Sequence, residues 1–288
     1  MLNGDIHDRL KSELGPAPAR ATAIGRSWGL DVLKVELESG GKVLVKTGAP
    51  DLAGHLETEA FMLRALGAAG GFPVPKVLLS EPDLLVMDWI ENEGAPRTAR
   101  QERHAGELLA ALHSLPVDRF GYHRDTVIGG LPQPNPPVDS WVSFFRSHRL
   151  MFIATTCAQR GVVHPGELRR ITTLAGRLGT YLNEPKHPSL LHGDLWQGNV
   201  LARGDHIAAF IDPAVYHGHP EIELAFTTLF GTFGDAFFEA YGANAALQPD
   251  FFEIRRDIYN IYPNLVHAAL FGRSYVAPVL RVLDRLGC

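Results

Sequence analysis

Asp194 and Asn199 stand five residues apart in the run His192-Gly193-Asp194-Leu195-Trp196-Gln197-Gly198-Asn199, and Ile211-Asp212-Pro213 follows after a short gap. On one tight loop an Asp can take the proton of an attacking hydroxyl, while an Asn and a second Asp hold a divalent cation through oxygen. That is the equipment of phosphoryl transfer. Its transition state spreads negative charge over the moving group and asks mainly for positioning and electrostatic support. The spacing predicts Asp194 as the catalytic base and Asn199 and Asp212 as ligands of magnesium.

A nucleotide substrate needs a cation for its phosphates, and Lys46 ends the third of three expected strands. Glu59 lies on the following helix in line with Leu56, Leu63 and Leu66, which puts a carboxylate on an apolar face. A charge there is costly unless paired, and Lys46 is the nearest candidate along the chain. Gly25, Arg26, Ser27 and Gly29 fall in the turn between the first two strands, where exposed amides could lie over ATP phosphates or simply close a hairpin. Met87, Asp88, Trp89 and Ile90 follow the last strand of this region and could offer backbone groups to an adenine edge. His192 is expected to hydrogen-bond loop backbone and, with Trp196, to stand on the substrate side of Asp194.

Other chemistries fit less well. His217-Gly218-His219 has the look of a zinc fragment, but no third ligand stands at a recognisable spacing. A Ser nucleophile would need a Gly-x-Ser-x-Gly elbow, which the chain lacks. There is no Walker-type phosphate loop. Phe226, Leu229, Phe230, Phe237, Phe238 and Tyr241 have helical spacing and read as core packing. Cys157 has no thiolate-activating neighbour in sequence and is expected to pack.

Strands are expected over residues 20 to 47, where Leu33, Val35 and Leu37 alternate with Lys34 and Glu36, and again around Lys76–Leu79 and Leu84–Met87. A helix is expected from about Ala53 to Ala69. Beyond Ala99 the periodicity predicts helices at 99–114, 138–160, 166–182, 219–230, 250–270 and 274–286, with an irregular Pro-rich loop from Leu131 to Val138. The fold class is therefore α+β in two lobes. An antiparallel β lobe with one helix, residues 1–90, binds nucleotide, and a larger mostly helical lobe, 91–288, carries the catalytic and acceptor groups.

The chain has 288 residues, 45% of them hydrophobic, with a net charge of −5. That suits a globular protein with a small-molecule partner and gives no basic field for nucleic acid. Two cysteines exclude a disulfide framework of the secreted kind and imply a reducing cytoplasm. Charged residues break up Met1–Leu14, unlike a signal peptide, and no apolar run reaches membrane-span length. Oligomeric state is not readable from the sequence.

Several motifs together resemble the fructosamine kinase (ketosamine-3-kinase) family, relatives of protein kinases and aminoglycoside phosphotransferases. They are the run from His192 to Asn199, with Trp196 after Asp194-Leu195, Ile211-Asp212-Pro213-Ala214-Val215-Tyr216 and Gly218-His219-Pro220-Glu221. To these add Phe120-Gly121-Tyr122-His123-Arg124-Asp125, Ile128-Gly129, Pro132-Gln133-Pro134-Asn135, and Trp141 with Phe144-Phe145. The resemblance runs from about residue 20 to the C-terminus. It implies a protein-kinase-like fold and ATP- and magnesium-dependent phosphorylation of the 3-hydroxyl of a fructosamine, ribulosamine or erythrulosamine, free or protein-bound, as deglycation repair. It assigns Lys46 to phosphate, Glu59 to orienting Lys46, and the 131–138 loop to the border of the acceptor pocket. Trp196 would cover the sugar or the ketoamine nitrogen, or pack the loop. Two departures stand out: the glycine loop lacks the cysteine found in many eukaryotic members, and no Ala-Pro-Glu follows Asp212. The competing readings are an aminoglycoside or other small-alcohol phosphotransferase, and a nucleotide-binding pseudokinase, which has no reason to keep the whole Lys46, Glu59, Asp194, Asn199 and Asp212 set.

Overall fold

Period-two alternation along one strand decides where the chemistry of the small lobe points. In the computed structural model, which describes residues 4–48 and 53–288, β1 (Pro18–Ser27), β2 (Leu30–Leu37), β3 (Lys42–Thr47), β4 (Val77–Glu81) and β5 (Leu84–Asp88) form one antiparallel sheet in the order β1-β2-β3-β5-β4. Val43 and Val45 of central β3 pack with Val35, Leu84 and Val86 under α1 (Gly4–Leu14), through its Ile6 and Leu10. Leu44 and Lys46 consequently face the other way. There α2 (Ala53–Gly67) covers the sheet with Leu56, Ala60 and Leu63. Lys46 is thus delivered to the helix that carries Glu59. Arg9 of α1 ties the outer edge down through ion pairs to Asp83 and Glu81.

From Asp88 the chain runs to α3 (Ala99–His113), exchanging backbone hydrogen bonds on the way: Glu93 donates to the Ala202 carbonyl and Ala202 to that of Gly94. Thr98 and Gln101 build a capping box at the start of α3, an arrangement worth ~1 kcal/mol. The helical lobe then places β6 (Thr126–Ile128) and β7 (Leu131–Gln133) in a short hairpin, followed by α4 (Trp141–Phe144) and α5 (Met151–Gln159) joined by a wider π turn over Phe145–Leu150. Next come α6 (Pro165–Arg177), β8 (Ser189–Leu191), β9 (Val200–Arg203), β10 (His206–Phe210), β11 (Tyr216–Gly218), α7 (Pro220–Leu229) and α8 (Asp235–Asn244). The chain ends with α9 (Arg256–Tyr259), α10 (Ile261–Phe271) and α11 (Val276–Arg285). β8 pairs with β11 and β9 with β10, both antiparallel.

The two lobes share apolar packing. Met62, Leu66 and Phe72 join the large core of the helical lobe, and Phe72 stacks on Phe210 with ring centroids 4.6 Å apart. Where α3 crosses α8, Gly106 lies against the backbone of Phe237, whose carbonyl a Cβ would meet at 2.5 Å. Among the described residues no helix is long and apolar enough to cross a membrane.

Four expectations change. Residues 131–138 are not an irregular loop: Leu131–Gln133 is a strand, exposed Pro132 being tolerated because the hairpin has only two strands. The helix expected at 138–160 begins at Trp141, where the Ser140 hydroxyl accepts from the Ser143 N–H, and carries the π turn. The 250–270 span is broken into a π turn at Phe251–Arg255, α9 and α10. α1 was not expected as a helix, whereas α8 carries the helical spacing read at Phe237, Phe238 and Tyr241. Of the Met1–Leu14 segment, residues 1–3 lie outside the described part.

Candidate active site

Lys46 is buried and sits between two carboxylates, with Nζ 2.7 Å from Glu59 Oε1 and 2.6 Å from Asp212 Oδ1. Burial works against its charge, but Glu59 and Asp212 outweigh it, so its pKa lies above the usual lysine value and the ammonium is retained. Burial would also raise Asp212; Lys46 overcomes this and holds it ionised, below the usual carboxylate range. Glu59, deeper in the site with its side chain 13% exposed, is pushed up by burial despite Lys46. Asp212 is 42% exposed and adopts a positive φ of 52°, a strained conformation for a residue with a Cβ. That turn aims its carboxylate at both the ammonium and the cleft.

Asp194 comes from the loop between β8 and β9, and two neighbouring segments brace it. His192 is fully buried; its Nε2 donates to the Ile211 carbonyl at 3.0 Å and its Nδ1 accepts from the Asp194 N–H. Burial lowers its pKa, so the ring stays neutral with the tautomer its partners require. Asn199 Nδ2 donates to the Asp194 carbonyl, to Asp194 Oδ2 at 2.9 Å and, more weakly, to the Asp212 carbonyl. With Nδ2 so used, Oδ1 is the atom Asn199 has to offer a cation. Burial and the charge of Asp212 push the Asp194 carboxyl up to about 7, against the Asn199 hydrogen bond. A base of that strength suits proton transfer near neutrality.

Beneath the loop lies Glu223 of α7. Its Oε1 accepts from the Gly193 N–H at 2.6 Å and its Oε2 from the His192 N–H at 3.2 Å, while His113 Nε2 donates to Oε2 at 2.9 Å. Burial would raise this carboxyl, but the hydrogen bond and charge of His113 outweigh it and leave it below the usual range. Gly193 is at φ 86°, and a Cβ there would come within 2.0 Å of the Ala214 carbonyl oxygen, so the loop can be drawn this close only with glycine.

A cleft of about 570 Å³ opens between the lobes. Arg26, Ser27, Lys46, Glu59, Asp194, Trp196, Asn199 and Asp212 line it, as the sequence reading expects. Other expected residues do not. His192 hydrogen-bonds loop backbone under Asp194, as expected, and being fully buried it does not reach the cleft. Met87 is buried against α2, the Asp88 N–H donates to the Lys76 carbonyl, and the Ile90 carbonyl accepts from Asn92. Asp88, Trp89 and Ile90 lie off the cleft wall with Met87. Gly25 belongs to β1 and Gly29, at φ 85°, to the two-residue turn after it; neither lines the cleft. The 131–138 segment is likewise absent from the wall. Gln133 and Asn135 are buried, Gln133 donating to the Ala214 carbonyl and Asn135 accepting from Arg149, so this stretch braces the Asp212 segment from behind.

Further cleft-lining residues were given no site role from the sequence: Val127, Ile128 and Gly129 of the β6–β7 hairpin, Phe230, and a row on and after α10. Phe230, expected in the core with Phe226, lines the cleft instead; Phe226 is buried.

The zinc fragment resolves into separate structural roles. His219 caps α7, its Nδ1 accepting from the Glu221 N–H, and among the described residues no group of three or more His, Cys, Asp or Glu could hold a metal. Burial, with Arg255 and His113 nearby, drives the His219 pKa down to about 3; the Glu221 carboxylate is engaged by Arg255, and the Tyr259 ring lies tilted against His219. The unfolded chain therefore gains a proton below about pH 6.5 that the folded one refuses, and stability falls as pH falls. Between pH 7 and 5 this amounts to ~2 kcal/mol. Asparagine keeps the cap and cannot titrate, so the urea midpoint of His219→Asn is expected to drop less between those pH values than that of the wild type. Equal drops would remove His219 as the cause.

The family model described as fructosamine kinase matches residues 19–287. The chain belongs to the fructosamine kinase family. A relative in Synechocystis, named a probable ketoamine kinase, is 33% identical over 251 residues, covering 85% of this chain and 82% of that protein. A crystal structure of a Thermobifida fusca chain assigned to fructosamine-3-kinase is 32% identical and superposes with a TM-score of 0.88 over 98% of this chain and 97% of that one. A more distant likeness, at 15% identity and TM-score 0.66, covers 99% of this chain and 97% of an aminoglycoside phosphotransferase, and shows that the family shares the kinase-like fold.

Proposed function

We propose that this family member transfers the γ-phosphoryl group of ATP to the 3-hydroxyl of a ketoamine, a sugar-derived amine such as a fructosamine, ribulosamine or erythrulosamine. The observation that carries the reading is the Lys46 ammonium held between Glu59 and Asp212, with Asp194 opening onto the same cleft. The relative named a probable ketoamine kinase supports the acceptor class. Lys46 would grip the nucleotide phosphates. Asp194 would accept the 3-hydroxyl proton as that oxygen bonds to the γ-phosphorus and the bond to the departing ADP oxygen breaks. The donor set of Asp212 carboxylate and Asn199 Oδ1 is the hard-oxygen kind magnesium prefers, and the ion would neutralise charge on the phosphates. Trp196, on the cleft wall two residues from Asp194, presents an indole to a protonated ketoamine nitrogen.

A coupled ADP-release assay with the ketoamines of glucose, ribose and erythrose, alongside an aminoglycoside, tests the reading. Turnover with one or more ketoamines and none with the aminoglycoside is expected; the reverse would overturn it.

A further inference from the structure

The row of aromatic side chains missed by the sequence reading does more than fill space. Trp28, at φ 53° on the tip of the β1–β2 turn, reaches across the cleft mouth to the helical lobe. Its indole lies on the Gly129-Gly130 turn, where a Cβ would come within 2.8 Å and 3.2 Å of ring atoms, and tilts against Phe271 at the end of α10, ring centroids 5.8 Å apart. Both rings are substantially exposed on their outer side, Trp28 at 42% and Phe271 at 58%. From there inward the rings are continuous. Phe271 neighbours His267 at 5.6 Å, His267 neighbours Phe230 at 5.0 Å and Tyr275 at 5.2 Å, and Phe230 meets Trp196 at 6.3 Å.

The charges are distributed unevenly. Among the described residues Glu59, Asp194 and Asp212 are the carboxylates that line the cleft, on the side of Lys46, and no described Asp or Glu lines it from Phe230 through Tyr275. Such a wall can attract one ammonium through ring faces and bury an apolar substituent, but it offers nothing to a second or third cation. Exposed aromatic surface leading directly to the reacting centre is otherwise a cost without a return.

We propose that Trp28 and Phe271 form an aromatic gate over the acceptor half of the cleft, and that this gate selects ketoamines whose amine nitrogen carries an apolar substituent. The inference rests on the reaction proposed above and specifies its substrate. The glycines at 129 and 130 let the indole lie this close, because a Cβ at either would press on its ring.

Initial rates with three ketoamines of one sugar, built on methylamine, butylamine and benzylamine, provide the test. In the wild type kcat/KM is expected to rise along the series, reaching about 10-fold for benzyl over methyl. The ratio should collapse to about 1 to 2 in Phe271→Ala, whose exposed ring supports no core, and in Trp28→Ala, which removes the indole from the cleft mouth. A ratio cancels general damage to the enzyme. A flat series in the wild type, or an unchanged ratio in both variants, overturns the gate alone. Absence of turnover with every ketoamine overturns the proposed reaction and the gate with it.

Discussion

Asp194→Asn is expected to lower kcat by a factor of about 10² to 10⁴ while leaving nucleotide affinity within a few-fold of the wild type. The substitution keeps size and shape and removes the ability to take a proton. The Asn199 amide that now donates to Asp194 Oδ2 at 2.9 Å can still donate to a side-chain oxygen, so the loop stays in place. The end of the cleft proposed to hold phosphate, where Lys46 pairs with Glu59 and Asp212, is untouched. Single-turnover rates and titration with a fluorescent ATP analogue separate the two effects. An unchanged kcat would remove Asp194 from proton transfer. Loss of nucleotide binding in parallel with kcat would show instead that the variant had disturbed the phosphate end.

Glu223→Gln is expected to be the most destabilising single change at the site that leaves every cleft-lining residue in place. The carboxylate is 1% exposed and accepts three hydrogen bonds, two from backbone N–H groups of the catalytic loop and one from His113. An amide has one acceptor oxygen in place of two, and its NH₂ would face donors. At least one buried donor loses its partner. Disrupting a buried, hydrogen-bonded charge in this way costs ~3 to 5 kcal/mol. The urea midpoint should fall accordingly, and kcat should fall with it, because the loop that aims Asp194 is no longer held from below. A midpoint equal to that of the wild type would show that Glu223 does not hold the loop.

The residues proposed to hold phosphate and metal were legible because the chemistry dictates both their types and their spacing. Asp194, Asn199 and Asp212 need only two adjacent loops, and Lys46 and Glu59 follow from strand and helix periodicity, which the packing of Val43 and Val45 against α1 and of Leu56 and Leu63 against the other face reproduces. Glu223 was not legible. A glutamate in a helix reads as a solvated face, and only the tertiary structure shows that Glu221 through Thr227 are all buried. The acceptor wall was hidden for a related reason. His267, Phe271 and Tyr275 recur every four residues, the same signature that core-facing side chains leave, and periodicity cannot tell a face turned to a cleft from one turned to a core. The β6–β7 hairpin did carry a local sign, the Gly129-Gly130 pair between Ile128 and Leu131. Pro132 and its neighbouring prolines masked it.

The proposed reaction transfers phosphate to one particular oxygen of one class of substrate. The most direct measurement is the position of phosphate in the product formed from ATP and a ketoamine, read by phosphorus–proton coupling in NMR. Phosphate on the 3-oxygen of the sugar, absent from the Asp194→Asn reaction, is the predicted result. Phosphate on another oxygen, or ATP hydrolysed with the ketoamine recovered unchanged, would contradict it.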